Sequence, residues 1–251
     1  MEALRVERLS KSFGGVRALD DVSFSVRAGE RLGIIGPNGA GKSTLFDVLS
    51  GVLPPTTGRI SLYAHDITDL PAHRRARLGL ARSFQIVNLF PSLTAFENLF
   101  LAALGSRPSR YRLFPSRGAH RDILSRVEQG LVGGGLWAKR SEPVDQLSHG
   151  EQRKLEFVMS LVMDPKVLLL DEPGAGLTAG ERIEIADMIR GLGVAVTALI
   201  VEHDMDLLFR VADRVLLLHY GEVIAQGSAG EMRDDPRVNE VYLGTNARAH
   251  P

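Results

Sequence analysis

Gly36-Pro37-Asn38-Gly39-Ala40-Gly41-Lys42-Ser43 stands between two segments of opposite character. Before it, Arg31 to Ile35 is a short apolar run entered from the tight turn Ala28-Gly29-Glu30, the pattern of a buried strand. After it, Leu45, Phe46, Val48 and Leu49 recur at helical spacing and stop at Gly51, a C-terminal cap. The octet therefore matches G-x-x-x-x-G-K-[ST] in the strand, loop and helix setting that the motif requires. Glycines let the backbone curl until successive N–H groups face one anion, and the helix N-terminus adds partial positive charge. Lys42 is placed to reach terminal phosphates, the Ser43 hydroxyl to ligate Mg2+, and Thr44 to bind a further phosphate oxygen. The spacing is not G-x-G-x-x-G, which disfavours a dinucleotide fold and a protein-kinase loop.

A second motif answers the first. Val167-Leu168-Leu169-Leu170 is apolar throughout, as a central strand buried on both faces requires, and it ends in Asp171-Glu172-Pro173. Ligands of open parallel sheets sit beyond the carboxyl ends of the strands. Asp171 is then placed to hold Mg2+ through water, and Glu172 to orient and deprotonate the water that attacks a γ-phosphate. Ala198 to Val201 repeats the arrangement and ends in Glu202-His203-Asp204, so His203 is placed to donate a hydrogen bond to that phosphate.

Composition bounds the rest. The 251 residues carry 30 basic and 30 acidic side chains, a formal net charge of zero, which gives no long-range attraction to nucleic acid. Without cysteine, disulfides, thiol nucleophiles and thiolate metal sites are excluded. No apolar run approaches the roughly 18–20 residues of a membrane-spanning helix, and Met1 to Arg8 lacks the apolar stretch of a secretory signal, so a membrane role is expected to come through a partner. The first thirty residues read as short strands, with Val22, Phe24 and Val26 alternating against polar neighbours. The middle, Gln85 to Asp164, carries helical patterns at Thr94–Leu104 and Arg121–Leu131. Strand and helix then alternate from Val167, and a strand pair turns at Tyr220-Gly221-Glu222. The tail from Thr245 reads as a frayed end.

Leu147-Ser148-His149-Gly150-Glu151 precedes an apolar-periodic stretch, with Ser148 and Glu151 at capping-box spacing. With this segment in place, nearly the whole chain resembles the ATP-binding-cassette (ABC) ATPases. Leu147 to Glu151 is similar to their signature L-S-G-G-Q, with His149 at a glycine position and Glu151 for glutamine. Gly36 to Ser43 resembles the Walker A loop, Val167 to Glu172 the Walker B strand with its catalytic glutamate, and His203 the switch histidine. The resemblance also implies roles for Gln85, as the Q-loop contact to metal and water, and for Phe13, as the aromatic stacked on adenine. Thr178 departs from the aspartate usual after Walker B. Phe84-Gln85, Leu89 to Leu99, Gly150 to Glu156, Gly174-Ala175-Gly176-Leu177, Val201 to Met205 and Val241-Tyr242-Leu243-Gly244 resemble the importer branch for branched-chain amino acids, other hydrophobic or amide substrates and urea.

The fold so implied is α/β: a P-loop NTPase (RecA-like) core with a mixed parallel sheet flanked by helices, an N-terminal antiparallel β portion and an inserted α-helical signature subdomain. One domain is expected over 1–251, with the core in 1–86 and 165–251 and the helical subdomain in 87–164. ATP and Mg2+ are the implied cofactors. Because the family's signature completes the nucleotide site of a second subunit, Ser148, His149, Gly150 and Glu151 are expected to serve a partner cassette, a second copy or a related chain. Two membrane-spanning permease subunits and a periplasmic solute-binding protein complete the implied system. Leu89, Phe90 and Phe96 are expected in the groove that receives a permease helix, with the chain on the cytoplasmic face of the membrane. An exporter or lipid-handling ATPase is the nearest alternative. A cassette of DNA repair or translation is disfavoured by the lack of heptads, duplication or net positive charge.

Overall fold

The computed structural model describes residues 1–83, 89–105 and 117–247. Two sheets carry the chain. The smaller is antiparallel, in the order β2 (Val16–Arg27), β1 (Glu2–Phe13), β4 (Thr57–Leu62), β5 (His65–Asp66). The larger has six strands, in the order β10 (Glu222–Ser228), β9 (Arg214–His219), β3 (Arg31–Ile35), β8 (Thr197–Val201), β7 (Val167–Asp171), β6 (Leu80–Arg82). All its neighbours pair in parallel except β10, which folds back on β9.

The first thirty residues differ from the short strands expected. They form two strands of 12 residues each. Each strand is continuous through local irregularities: Arg8 and Asp21 take φ of 45° and 51°, and the β1–β2 register shifts around Leu9. A bulge absorbs an extra residue without ending the ladder.

Helix α1 (Lys42–Ser50) lies between the sheets. Leu45, Phe46, Val48 and Leu49 are buried there with Leu4, Val6 and Ile60 from the small sheet and Val167 and Leu169 from the large one. The alternate residues of β7, Leu168 and Leu170, face the opposite layer, with α6 (Ala179–Arg190), α7 (Met205–Val211), α8 (Ala229–Arg233) and α9 (Pro236–Ala247). A strand buried on both faces loses the period-2 pattern, which is why β7 reads as unbroken apolar sequence. Helix α9 runs to Ala247, so Thr245 to Ala247 are helical where the sequence suggested fraying.

A third cluster joins α3 (Ala95–Gly105), α4 (Arg117–Gly133) and one flank of α5 (His149–Val162). Phe157 of α5 packs against the large sheet's layer, whereas its neighbour Val158 packs into this third cluster. Buried Asn98 pins the loop before α3: its Oδ1 accepts the Phe90 N–H at 2.8 Å, and its Nδ2 donates to the Phe90, Leu93 and Thr94 carbonyls. That fixes Phe90 on the surface, while Leu89 packs into the cluster and Phe96 is half-buried. Leu89 is thus a core residue rather than a lining one.

Short helix α2 (Ala72–Arg77) supplies a buried cation to the small end of α1. The Arg75 guanidinium donates to the Val48 and Leu49 carbonyls at 2.7 and 2.8 Å, and to those of Leu70 and Thr68, each at 2.8 Å. Two of these acceptors are carbonyls of the last turn of α1, where the helix dipole favours positive charge.

Candidate nucleotide site

The glycine loop joins β3 to α1 and is shaped by its neighbours. A Cβ on Gly36 would fall 2.1 Å from the Leu218 carbonyl oxygen, and one on Gly41, at φ 105°, would fall 2.5 Å from that of Ala18. Only glycine fits either place. Asn38, Gly39 and Ser43 form the exposed outer arc, Pro37 and Thr44 are half-buried, and Ala40 is buried. Lys42 is folded back beneath the arc, 6% exposed, and its Nζ donates to the Gly36 and Pro37 carbonyls at 2.6 and 3.0 Å. Burial lowers its pKa, opposed by the negative charges of Glu172 and Asp171. The loop lysine and both strand-end acids therefore share one electrostatic site. Phe13 stands on the hairpin whose second strand touches the loop at Gly41, with half its surface open and Lys11 Nζ 5.1 Å from its ring centroid.

Asp171 is 3% exposed, and Arg82 Nη2 donates to its Oδ2 at 2.7 Å. The same guanidinium reaches Asp47 of α1 at 2.6 Å, so it ties the edge strand β6, the helix after the loop and the central strand together. Glu172 leaves the strand in the left-handed region, φ 48°, a conformation costing a non-glycine residue about 1–2 kcal/mol. Its N–H donates to the Val201 carbonyl, which keeps it against β8, and His203 Nε2 lies 3.1 Å from its Oε1. Gln85 lies outside the described residues.

Glu202 was not singled out by the sequence, yet it is 3% exposed, and its Oε2 has no hydrogen-bond partner among the described residues. Its carboxyl is pushed up to about 7, by burial first; the Gly174 N–H opposes the shift, and the charges of Glu172 and Asp204 add to it. The folded chain then holds this proton up to about pH 7, the unfolded chain only up to about 4.5. Stability linked to the neutral carboxyl is complete at low pH and declines as pH rises through that window. Glu202→Gln, which imitates the neutral acid, is expected to flatten the decline, gaining about 2 kcal/mol over the parent at pH 8 and nothing at pH 5. Urea titrations at both pH values check this, and parallel pH profiles for parent and variant would show the carboxyl ionised throughout.

The second cluster sits at the start of α5. Ser148 caps the helix: its Oγ accepts the Glu151 N–H, and its own N–H donates to Glu151 Oε2 at 2.9 Å. Burial works against ionisation of Glu151, but Lys139 Nζ at 2.9 Å and the Ser148 donors outweigh it and hold the carboxyl below its ordinary value. Glu151 thus faces into its own helix end. His149 is exposed, and its ring lies where a Cβ on Gly176 would come within 3.0 Å; Gly150 is packed against Glu181. Thr178, the departure noted above, caps α6 through Glu181 in the same reciprocal way.

The strand, glycine loop and helix with the acids at the end of β7 coincide with a family model, that of the ABC transporter, matched over residues 19–175. The chain belongs to the ABC transporter family. Its ATPases bind and hydrolyse ATP, and this chain is one of them. It is 37% identical to the high-affinity branched-chain amino acid transport ATP-binding protein LivG of Salmonella typhimurium, over 96% of this chain and 97% of LivG. It is 38% identical to the lipopolysaccharide export system ATP-binding protein LptB of Acidithiobacillus ferridurans, over 97% of each. A crystal structure of an ATP-binding cassette of an ABC transporter in its ADP conformation superposes with a TM-score of 0.84 at 31% identity, covering 97% of this chain and 99% of the other. The ABC ATPase fold expected from the motifs is the fold found.

Proposed function

We propose that the chain is the ATP-hydrolysing subunit of an importer for branched-chain or other hydrophobic amino acids, amides or urea. The observation that carries the chemistry is buried Lys42 facing Asp171 and Glu172 across the ends of β3 and β7. The likeness to LivG supports the solute class.

Lys42 exchanges its two carbonyl partners for the β- and γ-phosphates, while the amides of residues 36–44 hold the chain of phosphates. The fit to Mg2+ rests on donor type: the Ser43 hydroxyl and the Asp171 carboxylate are hard oxygen donors, and Arg82 occupies one Asp171 oxygen. Among the described residues there is no cluster of three His, Cys, Asp or Glu able to cage an ion alone; Ser43 and Asp171 are the described side chains that would hold it. When bound, the ion offsets phosphate charge. Gln85 would complete this set. Glu172 takes a proton from the attacking water as its oxygen bonds to the γ-phosphorus; the bond to the β–γ bridging oxygen breaks, and ADP and inorganic phosphate result. His203, here beside Glu172, turns to the γ-phosphate. Phe13 stacks on the base.

Ser148, His149 and Gly150, carried on a separate helix, serve the nucleotide of a second cassette in a head-to-tail dimer. Glu151 acts there through its capping role. Residues 87–164 form the helical subdomain and 1–86 with 165–251 the core. Phe90 and Phe96 meet a permease helix. No helix among the described residues is long and apolar enough to cross a membrane. In this reading two permease subunits supply the span and hold the chain at the cytoplasmic face, with a periplasmic solute-binding protein delivering the solute. Proteoliposomes holding the permeases and cassettes, with ATP on the cassette side and binding protein opposite, should accumulate leucine. ATP turnover stimulated by a lipid substrate, with no amino-acid or urea uptake, would replace import by the export reading that the LptB likeness suggests.

A further inference from the structure

Gly36 makes two polar contacts through its backbone. Its carbonyl accepts from Lys42 Nζ at 2.6 Å, and its buried N–H donates to the Tyr242 hydroxyl at 2.8 Å. Tyr242 belongs to α9, 206 residues along the chain. Val238 and Val241 bury that helix in the layer beneath the large sheet, and Tyr242 packs half-buried beside them. Burial raises the phenol's pKa, with the Gly36 N–H opposing, so the hydroxyl stays protonated. The Leu218 carbonyl oxygen lies 2.1 Å from where a Cβ on Gly36 would stand, so no side chain fits there. Gly36 is thus packed against the Leu218 carbonyl, held by Tyr242 at its N–H and by Lys42 at its carbonyl.

We infer that Tyr242 is a positioning residue for nucleotide binding, its hydroxyl fixing Gly36 so that the loop and Lys42 are pre-set, and that docking of the C-terminal helix is thereby coupled to occupancy of the glycine loop. This rests on the glycine loop being the seat of ATP. Removing the hydroxyl leaves a buried N–H without its acceptor, and that cost falls on the loop geometry that binds phosphate. The coupling is reciprocal: if a docked Tyr242 tightens nucleotide binding, bound nucleotide tightens the docking of α9.

The test uses the full chain with a fluorescent ATP analogue and Mg2+. Tyr242→Phe keeps the ring and is expected to raise the nucleotide Kd about fivefold to tenfold, the value of one hydrogen bond. Val127→Ala, a buried change in the third cluster that touches neither α9 nor Gly36, is expected to lower the melting temperature at least as much and leave Kd within about twofold of the parent. Equal Kd changes in the two variants, or none in Tyr242→Phe, overturn the inference. Amide exchange gives a measurement that needs no variant: nucleotide should slow exchange across residues 236–247 of the parent, and the absence of slowing overturns the inference even if Tyr242→Phe fails to fold. A parent that binds no nucleotide removes the ATP site itself and the inference with it, whereas a parent that binds normally confines any failure to Tyr242.

Discussion

Glu172→Gln is expected to bind ATP as the parent does and to hydrolyse it about 10²–10⁴-fold more slowly, the usual worth of a positioned general base. Amide and carboxylate have nearly the same shape, so the left-handed turn at φ 48° and the N–H donated to Val201 persist. What disappears is the group that takes the proton. Lys42 loses one of the two negative charges that oppose the effect of burial on it, which slightly favours its neutral form. A neutral amide also repels the γ-phosphate less than a carboxylate does, so these two changes offset, and a variant that binds normally yet turns over slowly isolates the proton transfer. Phosphate release measured beside equilibrium nucleotide binding separates the two effects. Equal phosphate release would take Glu172 out of the reaction and leave it a residue that orients His203, 3.1 Å away.

Arg75→Met is expected to cost roughly 3–5 kcal/mol of folding stability, the range for leaving buried polar groups unpaired. The guanidinium is 1% exposed, and it satisfies four carbonyls at once. Burial lowers its pKa, with Asp69 opposing, yet a guanidinium stays charged. Methionine fills much of the volume and none of the hydrogen bonds, so the Val48 and Leu49 carbonyls lose their donor and α1 loses the cation at its C-terminal end. A lysine at the same place offers a single ammonium that cannot span the four acceptors, and it should recover only part of the loss. Urea unfolding reads both variants. A loss below about 1 kcal/mol for Arg75→Met would mean that water takes over the carbonyls.

The parts legible in the sequence are those whose chemistry needs contiguous residues. A phosphate cradle is one loop, so Gly36 to Ser43 could be read outright. The acids after β7 and the histidine after β8 lie at strand ends because parallel strands deliver their carboxyl ends to one edge, and the apolar runs before them were visible. Capping at Ser148 was legible for the same local reason. Arg75, Arg82 and Tyr242 were not, since each works on a partner brought close only by the finished fold: Val48 is 27 positions away, Asp171 89 and Gly36 206. Arg82 closes a three-residue strand too short for a pattern, and Tyr242, though part of the Val241–Gly244 stretch that resembles the importer branch, works through one oxygen whose partner no local pattern shows. Glu202 stood in plain view beside His203, but burial, which sets its chemistry, is a property of the packed layer.

Helix α5 has one flank in each of two clusters, with Phe157 and Val158 facing different ways. Its 14 residues make a rod about 21 Å long, stiff on the scale of domain motions. With Phe157 held in the layer of the large sheet and Val158 in the helical cluster, the Ser148 end cannot shift without disturbing the packing of one cluster or the other.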